Sequence, residues 1–292
     1  MIQKARHKYY KMKNRVFTSV AVLAVMLLSV IFSKYIVYPL VISLLAVTAV
    51  FEILRVIGAH NKLALALPAY LIAAIFPISA YFCGNEYTLN FILALAACMF
   101  VYLIWLFGVS IFSRGSIPFS KICEVFGAVT YVSVSFSSLA LLRYINSEYG
   151  VFLVVLVFVI SWVCDTAAFA VGSLIGKHKL IPEISPKKTV EGAVGGVVFS
   201  ALLCGAYGLL LDTFMKNMHV NYLYLFLFGM VLSVVSQLGD LAASLIKREY
   251  GAKDYGKILP GHGGVMDRFD SVMAVSTILL ILSLVFPPFT VA

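Results

Sequence analysis

Nine stretches of this sequence are apolar for long enough to cross a hydrocarbon layer, and that property sets the fold class before any single residue is considered. A bilayer core about 30 Å thick needs roughly 20 helical residues to span it. The stretches are Val16 to Ser33, Ile36 to Leu54, Leu63 to Phe82, Leu89 to Gly108, Ile122 to Leu142, Val151 to Gly176, Ala193 to Leu211, Tyr222 to Ile246 and Phe269 to Phe286. In lipid the backbone must satisfy its own hydrogen bonds, which runs of this length do as α-helices. Only 12% of the 292 residues are charged, 62% are hydrophobic and the mean hydropathy is +1.01. A soluble domain of this size needs far more charge on its surface. The chain is therefore expected to be an all-α, polytopic integral membrane protein with about nine transmembrane helices.

The net charge of +9 could suggest a nucleic-acid partner, but the basic residues occupy short links between apolar runs. With the N-terminus in the cytoplasm, 19 of the 22 lysines and arginines fall on the cytoplasmic side, leaving Lys34, Arg143 and Lys216 outside. That bias is the positive-inside pattern of membrane topology, and no nucleic-acid binding is expected. Lys4, Arg6, Lys8, Lys11, Lys13 and Arg15 precede the first run, which is long for a signal peptide and lacks a small-residue cleavage site, so it reads as a retained helix. The five cysteines, Cys83, Cys98, Cys123, Cys164 and Cys204, lie in or beside apolar runs without metal-ligand spacing and read as small hydrophobes. With no internal repeat or linker, residues 1–292 read as one membrane domain. Its helices in 1–150 are poorly informative, and the chemistry is expected in 151–292.

Polar residues inside the later runs single out that region. Asp165 lies mid-run, where an acid costs about 2.5–3.5 kcal/mol on insertion scales. At about 100° per residue, Ser161, Asp165, Ala168, Gly172 and Gly176 share one face, a small-residue stripe that turns the acid toward a neighbouring helix or a wet cavity. Gln237, Asp240, Ser244, Lys247 and Arg248 form a second polar stripe running toward the cytoplasmic surface. Glu52, beside Arg55 near the end of its run, reads as an interfacial ion pair.

Two loops add the parts that phosphoryl or nucleotidyl transfer needs. Residues 247–270 mix five basic and four acidic side chains with Gly251, Gly256, Gly261, Gly263 and Gly264. Glycines let backbone amides approach phosphate oxygens, basic side chains neutralise them, and carboxylates hold a bridging Mg²⁺. No Walker A motif occurs. The other loop, Ser185-Pro-Lys-Lys-Thr-Val-Glu-Gly192, has Pro186 and flanking hydroxyls that suit a helix start, with Lys187 and Lys188 favouring anions there.

Ser244-Leu-Ile-Lys247-Arg248, Lys253-Asp254, Pro260-Gly-His262-Gly263-Gly264 and Asp267-Arg268-Phe-Asp270 together resemble the signature of the phosphatidate cytidylyltransferase family. Cys164-Asp165-Thr-Ala-Ala-Phe, the Ser185 to Glu191 loop and Gln237-Leu-Gly-Asp240 extend the resemblance, which is strongest from Ser161 to Ser271. It implies an enzyme that joins CTP and phosphatidic acid to give CDP-diacylglycerol and pyrophosphate, with Mg²⁺ and a second, monovalent cation. On that footing Asp240 and Asp267 are the first choices as metal ligands, with Asp165, Asp254 and Asp270 as further acids. Lys247 and Arg248 join Asp240, Asp267 and His262 as catalytic candidates. Lys187, Lys188, Ser244, Lys253, Arg268, Gly263 and Gly264 are substrate-binding candidates. The resemblance also implies a homodimer among membrane lipids, while the positive-inside bias places the N-terminus and catalytic loops in the cytoplasm, which for a bacterial source means a plasma-membrane location. The alternatives are another CTP-dependent lipid enzyme, such as a polyprenol kinase or a CDP-archaeol synthase, and a cation-coupled transporter.

Overall fold

In a computed structural model, residues 24–84, 86–215, 217–259 and 263–291 are described. Helix α1 is described over 24–31, so residues 16–23 of the first expected span and the basic residues before it lie outside the described residues. Eight helices follow, each long and apolar enough to cross a membrane. They are α2 (Val37–Val56), α3 (Leu63–Cys83), α4 (Thr88–Phe112), α5 (Phe119–Tyr144), α6 (Gly150–Ile175), α7 (Val190–Phe214), α8 (Tyr222–Glu249) and α9 (Met266–Val285). They coincide with the apolar runs of the sequence to within several residues at each end. Two short antiparallel ribbons accompany them: β1 (Lys179–Ile181) with β2 (Ser185–Thr189), and β3 (Met218–Val220) with β4 (Phe289–Val291). All five cysteines are unpaired.

The helices gather into two compact units. The first holds the described residues up to Ala140 together with Tyr250–Phe269, and the second holds Leu141–Glu249 with the residues from Asp270 onward.

In the first unit, α2, α3 and α4 pack in sequence. Pro68 within α3 has no N–H to offer the carbonyl of Ala64, and the indole of Trp105 on α4 donates to that carbonyl at 2.7 Å instead. One residue on, the Tyr102 hydroxyl donates to Leu65 O at 2.9 Å, and Tyr38 on α2 donates likewise to Leu139 O on α5 at 2.8 Å. Side-chain donors thus supply the interhelical glue that apolar surfaces cannot provide in lipid.

In the second unit, small residues bring α6, α7 and α8 backbone to backbone. A Cβ on Gly192 of α7 would stand 3.2 Å from Gly172 Cα, and one on Gly196 would stand 3.1 Å from Cys164 O. On Gly229 of α8 it would stand 2.7 Å from Ala201 Cα. The stripe containing Asp165 is therefore the contact face of α6 with α7. The helix start expected at Pro186 lies further on. Residues Ser185–Thr189 form β2, and α7 opens at Val190 with the Thr189 side chain accepting Gly192 N–H at 3.2 Å. Pro186 has no N–H for a ladder but is tolerated in a two-stranded ribbon, where each strand is an edge. Thr189 is the capping hydroxyl, as its residue type favours.

Candidate active site

The second unit encloses a cleft of about 260 Å³ at the meeting of α6, the β1–β2 hairpin, α7 and α8. Asp165, Lys187, Lys188, Gln237 and Asp240 line it, with Ala168, Gly172 and Gly192 keeping its floor thin. Asp165 opens onto the cleft. Lys188 reaches down from β2 and places Nζ 2.6 Å from Asp240 Oδ2, with the two side chains 24% and 28% exposed. A pair this sheltered is screened less by salt than one on the surface. Asp165 Oδ2 accepts from Ser271 Oγ at 3.3 Å, and Ser271 N–H donates to Asp270 Oδ1 at 2.8 Å. Gly239, beside Asp240, lets α9 come close: a Cβ there would lie 2.8 Å from Asp270 O. Asp165, Asp240 and Asp270 consequently act on one another electrostatically, and Lys247 acts on Asp270. Ser244 and Lys247 follow Asp240 on the same face of α8, half-buried, while Arg248 is exposed and directs Nε toward Ile184 O at 3.5 Å.

In the first unit the segment Tyr250–Phe269 is organised around Asp267. Its Oδ2 accepts two backbone N–H groups, from Tyr255 at 2.8 Å and Gly264 at 2.9 Å. Leu259 and Gly263 pair across a narrow loop, and Gly263 has φ of +88°, a backbone region that side chains rarely adopt. A Cβ on Gly263 would also stand 2.7 Å from Asp267 Oδ2. Lys253, Asp254 and Arg268 are exposed, and Asp254 forms no hydrogen bond or ion pair among the described residues. His262 lies outside the described residues.

The sequence matches the Cytidylyltransferase family over residues 13–286. The chain belongs to the cytidylyltransferase family. Over 278 residues, 94% of this chain and 98% of the relative, it is 34% identical to a phosphatidate cytidylyltransferase of Bacillus subtilis. A phosphatidate cytidylyltransferase of Staphylococcus epidermidis is 41% identical over 173 residues, 59% of this chain and 63% of that protein, so the alignment spans less than two thirds of the relative. One of Staphylococcus saprophyticus is 36% identical over 198 residues, 68% of this chain and 70% of the relative. As a cytidylyltransferase the protein is an enzyme, a nucleotidyltransferase, and it is an integral membrane protein of a family with bacterial members.

Cytidylyltransferases use CTP and generally a divalent cation. Among the described residues of this cytidylyltransferase, no three acidic, histidine or cysteine side chains form a complete metal cage. The donor chemistry nevertheless fits a divalent ion that takes one or two carboxylates and completes its shell with substrate phosphates and water. Asp165, Asp240 and Asp270 repel one another, and Lys188 and Lys247 offset part of that repulsion.

The sequence reading of Glu52 requires correction. Glu52 is fully buried and its Oε2 accepts Met266 N–H at 2.9 Å, while Arg55 donates separately to Tyr255 O at 2.6 Å. The two side chains of α2 engage the glycine-rich segment instead of each other. Their spacing resembles that of an ordinary helix-end pair, and the partner backbone is more than two hundred residues away in sequence. No local signal pointed to it.

Proposed function

We propose that this enzyme transfers the CMP moiety of CTP to phosphatidic acid, forming CDP-diacylglycerol and releasing pyrophosphate. The observation that carries the reading is the cleft in which Lys188 meets Asp240 beside Asp165, a charged pocket among apolar helices. A near-full-length relative bearing the phosphatidate cytidylyltransferase name supports the same substrates.

In this reaction a phosphate oxygen of phosphatidic acid attacks the α-phosphorus of CTP in line. The bond from that phosphorus to the oxygen bridging to the β-phosphate breaks, and pyrophosphate leaves with the electron pair. The nucleophile is already anionic, so alignment and charge neutralisation are the main tasks. Lys187 and Lys188 hold triphosphate oxygens from the hairpin, Lys188 exchanging its hold on Asp240 for a phosphate. Lys247 and Arg248, Lys253 and Arg268 supply further positive charge, Ser244 a hydroxyl donor, and Gly263 and Gly264 close backbone approach. Asp240 and one further acid of the cleft, Asp165 or Asp270, would hold Mg²⁺, which when bound would neutralise charge on the reacting phosphates. Asp267, its carboxylate already oriented by two N–H groups, is a further cation ligand. A monovalent second cation, a homodimeric state, and a plasma-membrane location with the N-terminus and basic loops in the cytoplasm complete the proposal. The 19-to-3 split of basic residues supports that orientation.

The test uses detergent-purified protein, phosphatidic acid, Mg²⁺ and CTP labelled at either the α- or the γ-phosphate. Label from the α position in lipid, with pyrophosphate in solution, is expected. Label from the γ position in lipid would replace this reading with a lipid kinase.

A further inference from the structure

The first unit includes Tyr250–Phe269 together with the helices up to Ala140. On α5, Lys121 stands over the Tyr250 ring at 5.5 Å and donates to Ile57 O at 2.7 Å, and Glu124 hydrogen-bonds to Tyr250. On α2, Arg55 holds the carbonyl of Tyr255, whose N–H goes to Asp267. Glu52, one turn earlier, holds the N–H of Met266, the residue that opens α9 immediately before Asp267. The Glu52 carboxylate fits where Gly256 and Gly264 have no side chain: a Cβ on Gly256 would lie 2.7 Å from Glu52 Cδ, and one on Gly264 would collide with both its oxygens. The acid is buried and its Oε1 has no hydrogen-bond partner among the described residues. Burial of a carboxylate costs stability, which its backbone hydrogen bonds from Met266 and Val265 offset in part. What it does here is join both arms of the loop. Met266 belongs to one arm and Gly256 to the other, and Asp267 Oδ2 bridges the same two arms through Tyr255 and Gly264.

We infer that Glu52 is a positioning residue for nucleotidyl transfer: by fixing Met266 and wedging between Gly256 and Gly264, it sets where the Asp267 carboxylate stands, without touching substrate. The inference rests on the reading of Asp267 as a cation ligand. It differs from a purely structural role in predicting a change in cation dependence. Loss of a group that orients a metal ligand weakens metal use by about 10–100-fold.

The experiment compares Glu52→Ala, Glu52→Gln and wild-type protein in detergent. It records kcat, the Mg²⁺ concentration for half-maximal activity, and hydrogen exchange of peptides covering 255–267. Glu52→Ala should lower kcat about 100-fold, the cost of a small misplacement at a reacting centre. It should also raise the half-saturating Mg²⁺ about tenfold, and speed exchange across 255–267 while peptides of α6–α8 exchange as before. Glu52→Gln, which keeps an acceptor for Met266, should recover most of kcat. Unchanged exchange at 255–267 in Glu52→Ala overturns the inference whatever the activity. So does a lower kcat with wild-type Mg²⁺ dependence. Exchange also decides the matter if Glu52→Ala proves too unstable to assay, because Glu52→Gln can then be read alone: a wild-type Mg²⁺ dependence and faster exchange in that variant would sink it. Asp267→Ala, run alongside, separates the two levels. If it keeps wild-type Mg²⁺ dependence, the cation-ligand reading of Asp267 has failed; if it loses it, the Glu52 variants judge the positioning role alone.

Discussion

At the scale of single residues, the cleft brings together two lysines of β2 and two aspartates, Asp165 of α6 and Asp240 of α8. Asp240→Asn leaves Lys188 facing a neutral amide and replaces a charged carboxylate donor with an uncharged amide oxygen. It should reduce kcat by about 10²–10³-fold, the usual loss when one preorganised electrostatic group is deleted. Thermal unfolding should remain close to wild type, since the side chain is partly exposed. Turnover within tenfold of wild type would remove Asp240 from the mechanism. Lys188→Arg retains the charge but not the compact ammonium and should be impaired less than Lys188→Ala, which CTP titrations would show as a smaller rise in KM. Asp165 and Asp240 were legible in the sequence because an acid inside an apolar run must have a reason to be there. Glu52 was not legible, because an acid beside an arginine in the last turn of a helix is unremarkable until Met266 is seen against it.

At the scale of elements, sequence hydropathy gave the helices within a few residues, since length and apolarity are enough to define a span. The two ribbons escaped it. Lys179–Ile181 is three residues long and Ser185–Thr189 contains a proline and two lysines, so neither shows the alternation by which a strand is read. Yet the hairpin is what carries Lys187 and Lys188 to the cleft. Its junction with α7 depends on the Thr189 cap, and Thr189→Ala should cost about 1 kcal/mol, measurable as a lowered unfolding midpoint in detergent. Gly229→Ala tests helix contact. A methyl group would meet the backbone of Ala201 at 2.7 Å, and overpacking of that kind costs about 1–3 kcal/mol. Stability equal to wild type would mean that α7 and α8 can separate freely, contrary to their close approach.

At the scale of the whole molecule, the proposed cytoplasmic N-terminus, carried through the alternating spans, predicts a cytoplasmic β1–β2 hairpin. The pairing of β3 with β4 is in keeping with this, since the α7–α8 link and the residues after α9 then share the other side. Single cysteines in a background with all five natural ones replaced can check the orientation. A membrane-impermeant thiol reagent should label Ser147→Cys in intact cells and Pro182→Cys only after permeabilisation. The reverse pattern would invert the topology and place the cleft loops outside.

The first unit draws its last twenty residues, Tyr250–Phe269, from beyond α6, α7 and α8 of the second. A chain made from its N-terminus therefore inserts α2 to α5 well before the segment that completes their packing has been synthesised. Domains usually finish folding in the order of translation, but here the earlier one has to wait. On a ribosome stalled before residue 266, Glu52 has no Met266 to hold, and an acid destined for burial remains available to water or to a chaperone. Pulse proteolysis of nascent chains stalled before and after that point should show α2–α5 becoming resistant only in the longer ones.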